Sequence, residues 1–202
     1  MTNRRPPPSI AALALAAVLA TAVAIGCGGS DGGGSSGCDQ SEASGSSSSP
    51  GRLTPTGTTL KIGQPGILKY ESSSPKAKST IELTPKTLEK GSIDDFDEVD
   101  LEPSLKDSTP YYVEVCVTNV GSGDLSKTDP TTSGDLTAVD ERDESQISVG
   151  FIGDFDRCKS ADAPASLKQG ESFGTCLAYL IPKGGGSLAK MRWSSGDVSW
   201  KP

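Results

Sequence analysis

PYYVEVCVTN, Pro110 to Asn119, decides the fold of this chain. Tyr111, Val113, Val115 and Val117 fall on one face of an extended segment, and Tyr112, Glu114, Cys116 and Thr118 fall on the other. A period of two with β-branched and aromatic residues describes a strand with one face buried, not a helix. A second stretch of the same kind, SFGTCLAYLI from Ser172 to Ile181, turns Phe173, Leu177, Tyr179 and Ile181 inward. Two long strands cannot cover each other's apolar faces alone, so the remaining strands must supply an opposing layer.

Those strands are shorter. Thr58 to Ile62 alternates ahead of Gln64-Pro65-Gly66, and Gly66 to Tyr70 continues it after a bulge or turn. Ser79 to Thr84 sets Ile81 and Leu83 on one face, and Pro85 marks it as an edge or bulged strand. Asp135 to Val139 and Gln146 to Ile152 are weaker runs on either side of Asp140 to Glu144, DERDE. Leu188 to Trp193 and Asp197 to Trp200 predict a closing hairpin around Ser194-Ser195-Gly196. No helical period persists through this region. The expectation is an all-β, antiparallel immunoglobulin-like β-sandwich of about seven to nine strands, built from residues 58–202.

Ahead of the domain lie two segments of different character. Residues 1–26 carry Arg4 and Arg5 and then an apolar run from Ile10 to Ile25 interrupted by Thr21. The run is about 16 residues, short of the roughly 20 that a spanning helix needs, and reads as an export signal. Ala24-Ile25-Gly26-Cys27 resembles the lipobox of bacterial lipoproteins, which implies that Cys27 is diacylated and becomes the first mature residue. Leu is the commoner residue where Ala24 stands, so ordinary cleavage after Ala22 or Ala24, or an uncleaved anchor, is the alternative. Residues 27–57 are Gly, Ser, Pro and acidic residues with few apolar side chains, as in GGGSSG at Gly32 to Gly37. Such a segment buries too little to offset its ordering entropy and is expected to be a disordered tether, with an r.m.s. reach of roughly 30 Å.

Charge and cysteine content narrow the setting. The chain has 19 basic and 26 acidic residues, no histidine and a formal charge of −7; removing Arg4 and Arg5 with the signal takes it to −9. That sign disfavours nucleic acid and anionic lipid surfaces, so membrane association would come through acylated Cys27. With Cys27 acylated, Cys38, Cys116, Cys158 and Cys176 remain, an even number suited to an oxidising compartment. Cys158 with Cys176 is the favoured pair, because it closes a loop under 20 residues with about 3 kcal/mol of chain-entropy stabilisation. Cys116 pairs with Cys38 or remains a buried thiol, and the sequence does not choose.

PYYVEVCVTNVGSGDL, then VDERD, FDRC at Phe155 to Cys158, and QGESFGTCLAYLIPKGG at Gln169 to Gly185 together resemble actinobacterial surface lipoproteins with an immunoglobulin-like domain of the DUF4352 or telokin-like kind. The shared elements are a strand ending in Thr-Asn-x-Gly, and Gly-Glu before a strand ending in Ile-Pro. The resemblance implies the sandwich fold and a Cys158–Cys176 disulfide, and it implies no particular activity.

Gly170 to Gly174 satisfies G-x-S-x-G, but no histidine can serve as base and no helix is expected after Ser172. Ser187 to Lys190 and Ser73 to Lys76 have S-x-x-K spacing without the helix that would align Ser and Lys. Zinc lacks His ligands, and paired glycosidase carboxylates would lack neighbouring sugar-binding aromatics. Asp94, Asp95, Asp97, Glu98, Asp100 and Glu102 place six carboxylates in nine residues. This segment is a candidate for a basic partner, or for weak calcium binding if Asp140, Asp143 and Glu144 join it; its simplest reading is a solvated loop guarding a sheet edge. Trp193 and Trp200 are candidate interface anchors, or core residues in a domain with few aromatics. The expected protein is therefore a monomeric, lipid-anchored cell-surface module that binds an envelope or secreted protein, with no catalytic activity and no cofactor. A structural or chaperone-like role in envelope maintenance is the alternative.

Overall fold

The computed structural model describes Cys38 and residues 52–131, 135–146, 148–150 and 155–202. The leader, Cys27 and most of the tether lie outside the described residues.

Among the described residues nine strands form: β1 Thr59–Lys61, β2 Gly66–Ser73, β3 Lys76–Lys90, β4 Thr109–Asn119, β5 Leu136–Asp140, β6 Ser145–Gln146, β7 Ser172–Ile181, β8 Leu188–Trp193 and β9 Val198–Lys201. One sheet has the order β2-β3-β4-β7 and the other β1-β9-β8-β5-β6. Neighbours pair antiparallel except β1 with β9, which run parallel. Helical structure among the described residues is confined to 3-10 turns at Ile93–Phe96, Pro103–Leu105 and Ser194–Gly196.

Period-two alternation builds the interior. Tyr111, Val113, Val115 and Val117 of β4 pack with Ile81 and Leu83 of β3 and with Phe173, Leu177, Tyr179 and Ile181 of β7. Leu136, Ala138, Leu188, Met191, Trp193, Val198 and Trp200 close the core from the other sheet. Tyr111 stands opposite Tyr179 and Val113 opposite Leu177, so the two stretches singled out in the sequence are direct neighbours.

Of the two readings of Ser79 to Thr84, the bulged strand holds and the edge strand does not: these residues belong to a longer strand, β3, that lies inside its sheet between β2 and β4. Pro85 is accommodated by a register shift between Pro85 and Thr87, and its carbonyl accepts from the Gly63 N–H at 2.7 Å. The bulge removes the need for a proline donor, so the strand need not be an edge.

Trp193 and Trp200 are 1% and 0% exposed, so their reading as core residues holds and the reading as interface anchors does not. They alternate inward with Met191 and Val198, and the Trp200 Nε1–H donates to the Gln64 carbonyl at 2.9 Å. Gly66 makes room for that indole, since a Cβ there would lie 2.7 Å from the Trp200 ring.

The run read as Gln146 to Ile152 is a strand only at Ser145–Gln146 among its described residues, followed by a single bridge from Val149 to Ala178. Ile147, Phe151 and Ile152 lie outside the described residues. At the other end, domain hydrogen bonding reaches back to Thr54, whose N–H donates to the Ile67 carbonyl at 2.9 Å.

Among the described residues, four carboxyls at turns, loops or a strand end are held below their ordinary range. For Asp124 the cause is the Ser126 hydroxyl and then its N–H, for Asp143 it is Lys190, and for Glu171 it is the Lys168 N–H and the Ser166 hydroxyl. At Asp140 desolvation opposes ionisation, but the N–H groups of Glu144 and Arg142 and the Arg142 guanidinium outweigh it. Their folded values lie below their unfolded ones. The stability they contribute is therefore complete above the unfolded values and is lost as pH falls through the folded ones. Thermal melts should be level from pH 7 to about 5 and fall steeply below about pH 4. Asp140→Asn should have a shallower acid limb; a wild-type midpoint unchanged down to about pH 2.5 would contradict this account.

Candidate binding cleft

The outward residues of β4 and β7 carry a second, smaller apolar cluster. Tyr112, Ala178 and Leu180 are covered by Phe96 and Cys158, with Ile93, Val99, Leu101 and Phe155 packed against them. The acidic stretch is thus a cover for the outer face of the β4/β7 pair. Its Phe96 ring stacks near Phe155 at 5.0 Å and Tyr112 at 6.4 Å between centroids.

Local sequence explains how the cover is shaped. Ser92 caps the 3-10 turn at Ile93–Phe96: its hydroxyl accepts from the Asp94 N–H, and Asp95 Oδ2 accepts from the Ser92 N–H at 3.0 Å. The same Asp95 oxygen accepts from the Tyr112 hydroxyl at 2.9 Å. Burial, followed by that bond and the Asp95 charge, pushes the Tyr112 phenol well above its ordinary value, so it stays a donor across physiological pH. Arg157 lies 5.4 Å over the Tyr112 ring and pairs with Glu89 at 3.0 Å. The Cys158–Cys176 disulfide, with Cα atoms 5.3 Å apart, fastens the Arg157 segment to β7.

Between cover and fastened segment lies a cleft of about 780 Å³. Asp94, Asp97, Glu98 and Asp100 line one side, and Phe155 and Arg157 the other. The carboxylates are exposed and Val99 and Phe155 are partly buried, so the cleft offers negative charge above an apolar floor. A Lys or Arg side chain of a partner would place its stem on that floor and its charge among the carboxylates. Glu102 precedes the second 3-10 turn, outside the cleft lining.

The other sequence candidates are placed apart. Asp140 closes the β5–β6 turn by accepting from the N–H groups of Arg142 and Glu144, each at 2.9 Å, and Asp143 pairs with Lys190 at 3.0 Å. These carboxylates are consumed in the opposite sheet and do not join the acidic cover. Among the described residues no group of three or more His, Cys, Asp or Glu side chains is arranged to hold a metal ion. The calcium reading loses the second set of ligands it required. Ser172 begins β7 and bonds the Thr118 hydroxyl at 2.9 Å, while Ser73 and Lys76 face each other across the β2–β3 hairpin.

What sequence reasoning missed is the aromatic set beneath the charges. Phe96 inside an acidic run was its visible signal, since a lone buried aromatic there fixes the run to a surface. Opening the disulfide tests this construction. The Cys158→Ala/Cys176→Ala double variant should lose about 3 kcal/mol in urea unfolding, as expected for the 18-residue separation. A loss under about 1 kcal/mol would mean that the loop is ordered without its bridge.

The fold and cleft define an all-β, two-sheet β-sandwich with an acidic cleft on one outer face. No protein-family model matches the chain, and no curated protein matches it. Among solved structures, the 1.5 Å crystal structure of the secreted protein MPT63 from Mycobacterium tuberculosis is similar, with a TM-score of 0.46 and 12% sequence identity, covering 75% of this chain and 100% of that one.

Proposed function

We propose that this chain is a lipid-anchored, extracytoplasmic interaction module without catalytic activity, and that its acidic cleft receives a basic segment of an envelope or secreted protein. The observation that carries the reading is the cleft itself, in which four exposed carboxylates are held over an aromatic floor by a capped turn and a disulfide. Export and anchoring are supported by the Arg4 to Cys27 leader. The absence of histidine from the chain and the spread of its other carboxylates agree with a binding role.

Binding is tested with a fluorescent Arg/Lys-rich peptide and the mature protein. Asp97→Lys/Glu98→Lys/Asp100→Lys leaves the turn-forming Asp94 and Asp95 in place, and should weaken saturable binding at least about tenfold. Salt should weaken wild-type binding likewise. Equal affinity of wild type and variant would remove the cleft from the proposal. Intact-mass measurement tests the anchor: diacylglycerol on Cys27 supports it, and a mature chain lacking that mass overturns it.

A further inference from the structure

The second disulfide joins Cys38 to Cys116, with Cα atoms 5.6 Å apart and 78 positions between them in sequence. Cys116 is on the outward face of β4, opposite Gly174 of β7, and Cys176 is opposite Glu114. The two disulfides are therefore diagonal neighbours on one sheet face, and both line a cleft of about 290 Å³ that shares Asp156 and Arg157 with the acidic cleft. Among the described residues after Cys38, Thr54 is the first that hydrogen-bonds to the strands. Cys38 is thus fastened to the sandwich well before the chain reaches its first strand.

We propose that the Cys38–Cys116 disulfide is a clasp that sets the length of the membrane leash, and that opening it lengthens the leash and frees the face beside the acidic cleft. The proposal rests on the reading that Cys27 is the anchored residue. With the clasp closed, about 11 residues separate Cys27 from its fixed point on the domain, a contour of at most about 40 Å. With it open, the next described attachment is Thr54, about 27 residues from Cys27, and the upper limit set by chain length rises to about 95 Å.

Cys38 and Cys116 are both half-buried, so a small dithiol can reach the bond. Opening follows ordinary exchange: a dithiol thiolate attacks one sulfur, its second thiol completes the cycle, and two electrons and two protons pass to Cys38 and Cys116 while the dithiol becomes a disulfide. Cys158 is 2% exposed and is the more protected sulfur of the neighbouring bridge.

The test places a donor dye at position 28 and an acceptor at position 69 of the mature chain, using unnatural side chains that leave the cysteines untouched. Energy transfer should be high for the oxidised protein and lower for Cys38→Ser and for dithiol-treated wild type, with the far-ultraviolet circular dichroism of the β-domain retained. A complementary measurement needs no cysteine substitution: cutting at a protease site placed between positions 39 and 51 should leave transfer unchanged until dithiol is added, then abolish it. Equal transfer in oxidised wild type and Cys38→Ser, or loss of transfer on cutting alone, would overturn the clasp. A parallel arm on lipid nanodiscs measures transfer from position 69 to a bilayer acceptor. Failure to associate with the nanodisc would refute anchoring at Cys27, while the solution arm would still decide whether the clasp holds.

Discussion

Replacing Trp200 with alanine is expected to destabilise the domain by about 4 kcal/mol, the range for emptying a buried indole site. The side chain is fully buried near the chain end, on a strand that joins β1 to β8. Its ring fills the space left by Gly66, and its Nε1–H satisfies the Gln64 carbonyl at 2.9 Å. Alanine removes the packing and leaves that carbonyl without its donor, and neighbours drawn from both sheets cannot all collapse into one void. Trp200→Phe keeps most of the volume and loses the hydrogen bond, so it should cost about 1–2 kcal/mol. Urea unfolding followed by circular dichroism measures both variants. A Trp200→Ala domain as stable as wild type would refute this account of the core.

The second large effect is expected at Asn119. This side chain is wholly buried at the end of β4 and uses its full bonding capacity. Oδ1 accepts from the Ser79 hydroxyl at 2.7 Å and the Gly121 N–H at 3.2 Å, and Nδ2 donates to the carbonyls of Gly123 at 2.6 Å and Leu167 at 2.8 Å. One amide thus joins β3, the turn after β4 and the segment ahead of β7. Asn119→Ala orphans buried partners on both sides and should cost about 3–5 kcal/mol. Asn119→Asp preserves the shape but sets a carboxylate against two carbonyl oxygens, and should be at least as damaging near neutral pH. Adding Ser79→Ala to Asn119→Ala should cost less than the two single losses together, because they share a bond. Fully additive losses would refute the network.

That network gives the Thr-Asn-x-Gly element a physical reason. Gly121 follows Asn119 because a Cβ there would lie 2.5 Å from Ser79 Oγ and 2.6 Å from the Thr80 backbone nitrogen. The Gly-Glu element ahead of β7 has a reason as well. Gly170 has φ of +85°, and the Glu171 carboxylate accepts from the Lys168 N–H and the Ser166 hydroxyl, each at 2.7 Å. In both places short-range chemistry ends or begins a strand, which is why the pattern could be read along the chain.

Local order determined β4, β7, their inward faces and the β8–β9 hairpin, because alternation and turn residues act over a few positions and need no distant partner. Tertiary structure alone decided that β3 is internal, that β1 pairs parallel with β9, that both tryptophans are buried and that Cys38 meets Cys116. Each of these depends on which segments meet across long sequence separations, and a residue's own neighbours do not encode that. The acidic stretch divides along the same line. Its charge was legible in composition, but its attachment through Phe96 to Tyr112 and Phe155 exists only once β4 and β7 have placed the floor beneath it.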